Sequence, residues 1–84
     1  MDGQRGDARY LFGKRVRELR AERGWSQEQF AHFCGLDRSY IGQVERGERN
    51  ISLDNICRIT LALRVSLAEF FEGFSVCSDG RDSA

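Results

Sequence analysis

The chain has 84 residues, of which 40% are hydrophobic and 31% are charged, and it contains no proline. A chain of this length buries only about 60% of its unfolded surface, so one small domain is expected and most multidomain enzyme architectures are excluded. Thirteen basic residues balance thirteen acidic ones, so the net charge alone indicates no polyanionic partner. No apolar run reaches the roughly 18 residues of a membrane span, so no membrane association is expected.

The charge is unevenly distributed along the chain. Residues 9–49 contain nine basic and six acidic side chains, which makes this segment net +3 and the remainder net −3. Twelve of the thirteen cations are arginine, whose planar fork of donors suits phosphates, guanine edges and carboxylates. The odd number of cysteines, without CxxC spacing, supports neither a disulfide framework nor a zinc site and favours a reducing, cytoplasmic setting.

Three segments are predicted from periodicity. Residues 1–8 and 75–84 lack a pattern and are predicted to be flexible, whereas residues 9–74 are predicted to form one domain. The first helix of that domain is indicated by Phe12, Val16 and Leu19, which share one helical face.

Four further helix starts follow one pattern, in which an apolar residue precedes Ser or Asp and a second apolar residue lies four places after the cap. This is an N-cap with a hydrophobic staple. The four caps are Ser26, Asp37, Ser52 and Ser66. Gln29 and Glu69, three residues after their serines, would complete capping boxes. The sequence therefore predicts an all-α fold with helices at 10–23, 27–34, 38–46, 53–63 and 67–73.

The apolar faces of these helices predict a modest core. Its predicted members are Phe12, Val16, Leu19, Phe30, Ala31, Cys34, Leu36, Ile41, Val44, Leu53, Ile56, Cys57, Leu63 and Phe70. His32 has no set of neighbours that could bind a metal with it. We therefore predict no catalytic residue, no metal site, no cofactor and no small-molecule ligand.

The second and third helices are separated by Gly35-Leu36-Asp37, the short glycine-containing connection of a helix-turn-helix unit. The motifs Ser26-Gln27-Glu28-Gln29-Phe30-Ala31, Gly35 to Ile41 and Val44-Glu45-Arg46-Gly47 resemble the XRE family of lambda-repressor-like DNA-binding domains. The resemblance covers about residues 11–71 and implies a five-helix fold whose third helix enters the major groove of double-stranded DNA. The motif from Leu36 to Asn50 is especially similar to controller proteins of restriction-modification systems.

Carried over by position, the resemblance implies that four side chains of the third helix contact bases: Arg38, Ser39, Tyr40 and Gln43. Arginine can bond guanine O6 and N7 in a bidentate manner, and glutamine can do the same with adenine. The alternative is that Arg38 and Gln43 form an ordinary solvated helix face.

The resemblance also implies DNA backbone contacts from Gln27 and Arg46, and we add Arg49 and Asn50 from the following loop. It pairs Arg20 with Glu45 in a partly buried salt bridge, with an exposed Arg20 as the alternative. Gly42 is expected where a Cβ atom would crowd a neighbour. Arg64 stands where relatives often have a helix-ending glycine, so a strained turn is expected there.

The last helix carries more apolar surface than one small domain is expected to cover. Leu67, Phe71 and Phe74 are therefore predicted to form the interface of a symmetric homodimer. The alternative is a monomer whose phenylalanines fold back on their own core. A dimer would hold two recognition helices about 34 Å apart, which matches a pseudo-palindromic operator.

The predicted function is sequence-specific transcription regulation, either repression or control of a restriction-modification system. Two rivals remain open: an antitoxin that represses its own operon, and a protein-interaction module that kept the fold but lost DNA binding. An antitoxin would need a toxin-binding extension, and the ten residues after Phe74 form a segment that is too short and polar for this role. The interaction module would bind its partner without strong salt dependence.

Overall fold

A computed structural model of the chain describes residues 8–74, and this part contains five α-helices and no strand. They are α1 (Ala8–Glu22), α2 (Gln27–Cys34), α3 (Arg38–Glu45), α4 (Leu53–Leu63) and α5 (Leu67–Phe70). The predicted all-α class is confirmed. The first helix begins two residues earlier than predicted, and α5 ends three residues earlier because residues 71–73 form a turn. The tail predicted at 75–84, and all but Ala8 of the predicted N-terminal segment, lie outside the described residues.

Serine side chains begin three of the helices as predicted. Ser26, Ser52 and Ser66 each accept a hydrogen bond from the backbone N–H three residues later, and the first and last are complete capping boxes. Asp37 is different. Its backbone has the extended conformation of an N-cap, but its carboxylate caps no backbone N–H and instead accepts a hydrogen bond from the Ser39 hydroxyl at 3.0 Å. The prediction that Asp37 caps α3 with its side chain is therefore wrong.

The connection between α2 and α3 is closed by backbone hydrogen bonds. Gly35 is left-handed, with φ 71°, and the N–H of Leu36 donates to the carbonyl of Ala31 at 2.9 Å. This closure ends α2 abruptly, so α3 can start after three residues and cross it steeply. The helix-turn-helix unit predicted from the sequence is present.

The core differs from the prediction along α4. Leu53 is 71% exposed and Cys57 is also exposed, so both were wrongly assigned to the interior. The helix turns Ile59, Thr60 and Leu63 inward instead, and Ile59, which was not predicted, is fully buried. Leu36 and Ile56 are half-buried at the edge, whereas the other predicted core residues are buried.

One buried titratable group lies within this core. Burial of Cys34 raises the pKa of its thiol to about 12, so the side chain stays a neutral, unreactive apolar group.

The phenylalanines after α5 pack onto the core of their own chain. The Phe71 ring lies 6.0 Å from Phe12 and 4.9 Å from Phe70 between centroids, and Phe74 lies 4.9 Å from Phe71. Both are half-buried, so each ring keeps part of its surface open. Among the three residues predicted for the dimer interface, Leu67 has the most open position, with 45% of its surface exposed.

Two arginines, Arg15 of α1 and Arg23 in the turn after it, bind backbone carbonyls at the ends of other helices. Arg15 donates to the carbonyls of Phe70 and Glu69, both at 3.1 Å. Arg23 donates twice to the carbonyl of Leu63, at 3.1 and 2.7 Å. The C-terminal carbonyls of a helix carry the negative end of its dipole, so α1 binds the end of α5 and the turn after α1 binds the end of α4 by complementary charge. No helix among residues 8–74 has the length and apolar character needed to cross a membrane.

The turn after α4 contains the strain that the sequence predicted. Arg64 closes α4 with φ 62° and ψ 41°, and within residues 8–74 it is the only residue other than glycine with a left-handed backbone. We expect Arg64→Gly to raise the free energy of unfolding by about 1 kcal/mol, because glycine has no Cβ penalty in this conformation. Arg58→Gly in the regular part of α4 is the matched control, and it should lower stability by about 1 kcal/mol. Urea unfolding measures both, and a loss of stability in Arg64→Gly would contradict the strain.

Candidate nucleic-acid interface

Helix α3 divides its side chains between the core and the solvent. Ile41, Gly42, Val44 and Glu45 are buried. Arg38 and Ser39 are exposed and Gln43 is half-exposed, so the predicted base-contacting side chains other than Tyr40 line one open face. Such a face at the start of a second helix is what a major groove can accept.

The four predicted base-contacting residues differ in how firmly the protein holds them. No hydrogen bond or ion pair from residues 8–74 restrains Arg38, so its guanidinium is free to reach outward. The Ser39 hydroxyl is engaged by Asp37. The Tyr40 hydroxyl accepts a hydrogen bond from Asn55 Nδ2 at 3.1 Å, which ties α3 to α4.

Tyr40 also positions a cation in the loop after α3. The guanidinium carbon of Arg49 lies 4.9 Å from the centroid of the Tyr40 ring, within the range of a cation–π contact. Arg49 and Asn50 are exposed beside it. Tyr40 is therefore a half-buried support for Arg49 as well as a neighbour of the open face.

A buried carboxylate lies behind the open face. Glu45 Oε2 accepts a hydrogen bond from Arg20 Nε at 2.6 Å, and Glu45 Oε1 accepts one from Arg20 Nη2 at 2.9 Å. The side chains are 15% and 3% exposed for Arg20 and Glu45 respectively. The hydrogen bond to Glu45 holds the pKa of Arg20 above its usual value. The ion pair that the resemblance implied is thus present, and Arg20 also donates to the carbonyl of Trp25 at 2.8 Å.

Gln27 belongs to the same network. Its Nε2 donates to Glu45 Oε1 at 2.9 Å, so the first residue of α2 is bonded to the last residue of α3. One N–H of the Gln27 amide is therefore engaged by Glu45, and its second N–H and the backbone N–H groups at the start of α2 remain as donors for an anion.

Gly42 separates Gln27 from Arg46. A Cβ atom at Gly42 would lie 3.3 Å from Arg46 Nη1 and 3.8 Å from Gln27 Oε1, which identifies the neighbours that it would crowd. We call the depression formed by Gln27, Gly42 and Arg46 the α2–α3 notch. It brings a cation beside the positive end of the α2 dipole.

Arg46 is paired with a residue that the sequence did not single out. Arg46 Nε lies 3.0 Å from Glu48 Oε2, and Arg46 Nη2 lies 3.2 Å from Glu48 Oε1. These hydrogen bonds lower the pKa of Glu48 and raise that of Arg46. Glu48 and Asn55 were both missed as parts of the site. Glu48 was missed because side chains two residues apart, such as those of Arg46 and Glu48, face each other in a turn but not in a helix. Asn55 was missed because the sequence identifies it only as the third residue of the capped helix α4.

The comparisons with known proteins agree with this geometry. A helix-turn-helix family model matches residues 16–70, and the chain belongs to this family. Control protein C.BamHI from Bacillus amyloliquefaciens is 52% identical over 58 residues, which cover 68% of this chain and 72% of that protein. The XRE-type helix-turn-helix fold inferred from the sequence motifs is confirmed.

Solved structures of controller proteins share the fold. The restriction-modification controller protein C.AhdI from Aeromonas hydrophila has 52% sequence identity and a TM-score of 0.72, with 75% of this chain and 96% of that chain covered. The controller protein C.Esp1396I, crystallised as a tetramer with its natural 35 base-pair operator, has 34% identity and a TM-score of 0.72 over 76% of this chain and 84% of that chain.

The buried ion pair gives a stability prediction. Glu45→Gln should lower the free energy of unfolding by about 3–5 kcal/mol, because it leaves the Arg20 guanidinium poorly compensated in a largely buried position. Replacing both residues with methionine should restore part of the loss, since no buried charge then remains.

The exposed pair of Lys14 and Glu18, 3.4 Å apart, supplies the control, and Glu18→Gln should change stability little. Urea denaturation measures all of these variants. A Glu45→Gln protein as stable as the parent would show that the buried pair does not support the domain.

Proposed function

We propose that this chain is a sequence-specific transcription regulator that binds double-stranded DNA as a homodimer in the cytoplasm, without catalytic activity, and that it controls a restriction-modification system. The observation that carries the proposal is the open face of α3, where an unrestrained Arg38 and a half-exposed Gln43 extend from the second helix of a helix-turn-helix unit.

The base-reading part of the proposal depends on the chemistry of that face. Arg38 is the first residue of α3, where the helix N-terminus would point into the groove and a long bidentate donor can reach a guanine edge. Gln43 lies one turn further along and can pair with adenine. We assign Ser39 and Tyr40 to supporting contacts, since their hydroxyl groups already have protein partners.

The backbone-binding part places phosphates on both sides of α3. On one side are the start of α2 and the α2–α3 notch, with Gln27 and Arg46. On the other side is the loop with Arg49 and Asn50, supported by Tyr40. Contacts of this kind set the register of the protein on the duplex without reading sequence.

The regulatory role is supported by the relatives. C.BamHI and C.AhdI are named as controllers, and the chain spans most of the length of both. C.Esp1396I is described as a tetramer with its operator, so multiple copies assemble on DNA in that protein. The same mode of action is proposed for this chain.

The proposed dimer surface combines Leu67 with the parts of Phe71 and Phe74 that their own core leaves open. A second open apolar stripe on α4 is formed by Leu53, Cys57 and Leu61. A two-fold axis would bury one such surface against its copy, because a symmetric interface is self-complementary.

Two arginine substitutions test DNA binding. Arg38→Ala should cost about 1–3 kcal/mol on the preferred operator and relax the preference at one base pair in each half-site. Arg46→Ala should weaken binding to all duplexes alike and flatten the salt dependence by up to about one unit of log–log slope. Base preference is measured by titrating duplexes that carry each of the four bases at every half-site position. The salt dependence is measured by repeating the titration of one duplex at several salt concentrations.

Two controls sharpen this experiment. Arg38→Lys should recover non-specific affinity more than selectivity, because lysine restores the charge but not the fork. Arg17→Ala removes an exposed arginine of α1 and should change neither quantity much. If the parent and Arg38→Ala proteins prefer the same bases everywhere, Arg38 does not read the sequence. If binding to every partner ignores salt, the protein-interaction rival is favoured.

The dimer is tested with Leu67→Asp. We expect a folded protein that sediments as a monomer and binds the operator much more weakly, because the two half-sites are no longer engaged together. Phe71→Asp is a poorer test, since it would also disrupt the contacts with Phe12 and Phe70. Ala21→Asp, at an exposed site on α1, is the control for the added charge and should stay dimeric. A parent that is monomeric at high micromolar concentration and on DNA would refute the dimer.

A further inference from the structure

The loop after α3 carries a carboxylate that occupies the donor fork of Arg46. Arg46 Nε and Nη2 lie 3.0 and 3.2 Å from the two carboxylate oxygens of Glu48. Both side chains are more than half exposed, at 59% and 52%. A side-on bidentate pair of this kind uses the donors with which an arginine holds a phosphate. Glu48 therefore lies where a phosphate would bind to Arg46.

The backbone holds Glu48 in this place. Gly47 has φ 76°, a left-handed turn that folds the chain back over the end of α3. A Cβ atom at Gly47 would lie 3.0 Å from the Cα of Tyr10, so both the turn and the close approach to α1 favour glycine. The N–H of Glu48 then donates to the carbonyl of Gln43 at 2.9 Å. The meeting of Arg46 with Glu48 is thus favoured by the fixed turn between them.

We propose that Glu48 is an affinity-limiting residue, whose carboxylate competes with DNA phosphate for the guanidinium of Arg46. This inference rests on the proposed function. Exposed ion pairs are weak, so a phosphate can displace the carboxylate from the fork. Displacing the carboxylate gives back part of the free energy of the Arg46–phosphate contact, which lowers the affinity for every duplex regardless of sequence.

The competition also changes the response to salt. Because Glu48 already neutralises Arg46, this arginine neutralises a DNA phosphate less completely, and fewer counterions leave the DNA on binding. Glu48 therefore reduces the share of affinity that comes from charge alone. A larger share is left to the open face of α3, which bears Arg38 and Gln43.

The test compares the parent with Glu48→Gln, Arg46→Ala and the double variant on an operator duplex and on a random duplex over a range of salt. Glu48→Gln keeps the shape but removes the charge. We expect it to bind both duplexes several-fold more tightly at low salt, with a log–log slope steeper by about half a unit, because Arg46 already makes part of its phosphate contact in the parent. In the Arg46→Ala background the same substitution should change affinity little, because the competed donor is absent.

Glu72→Gln changes the net charge equally in a groove formed with Leu11 and Lys14, away from α3, and should leave affinity nearly unchanged. Equal gains from Glu72→Gln, or from Glu48→Gln without Arg46, would overturn the proposal in favour of long-range charge. Weaker binding by Glu48→Gln would overturn it by making Glu48 a support for Arg46. A parent that binds no duplex would instead refute the proposed function itself. Thermal unfolding of each variant checks that the fold is intact.

Discussion

The carboxylate of Glu45 connects the three helices on which the DNA-binding face depends. It lies at the end of α3, is almost completely buried, and accepts hydrogen bonds from Arg20 of α1 and Gln27 of α2. A buried charge is tolerated only when its hydrogen bonds are satisfied, so the three helices must keep one relative geometry. The angle at which α3 presents Arg38 follows from this requirement. Gln27 belongs both to this network and to the α2–α3 notch, so the DNA backbone contacts proposed for the notch depend on the same support.

The arginines of this small domain divide into those that hold the protein together and those that face outward. Arg15 and Arg20 of α1 and Arg23 in the turn after it bind carbonyls or a carboxylate inside the chain. Glu45 neutralises the charge of Arg20, and the guanidinium groups of Arg15 and Arg23 are directed at helix ends. The basic bias of residues 9–49 therefore overstates the positive charge that faces a polyanion. The outward set includes Arg38, Arg46 and Arg49, and two of these have partners of their own in Glu48 and Tyr40. The exposed positive charge is therefore concentrated around α3, and the pairing of Arg46 with Glu48 reduces it there.

Local signals in the sequence were the most reliable guide to this structure. The serine caps, the glycine turn and the order of the helices depend on neighbouring residues and were predicted correctly. The errors occurred where the packing of the whole chain decides the outcome. Helix α4 turns Ile59 inward and leaves Leu53 and Cys57 exposed, because its inward face is set by α1, α2 and α5 together. The carboxylate of Asp37 accepts a hydrogen bond from the Ser39 hydroxyl instead of capping a backbone N–H of α3. Glu48 reaches Arg46 through the turn at Gly47. Neither contact follows from helical spacing, so neither was predicted.

The way in which α1 grips the rest of the domain affects how freely such a sequence can diverge. Arg15 and Arg23 bind main-chain carbonyls at the ends of α5 and α4, and every residue type presents the same carbonyl. These hydrogen bonds therefore do not depend on which side chains the ends of α4 and α5 carry. Surface positions such as Leu61 and Leu67 can change over evolutionary time without loosening α1. Chains that differ only at such positions would therefore keep the same orientation of α3.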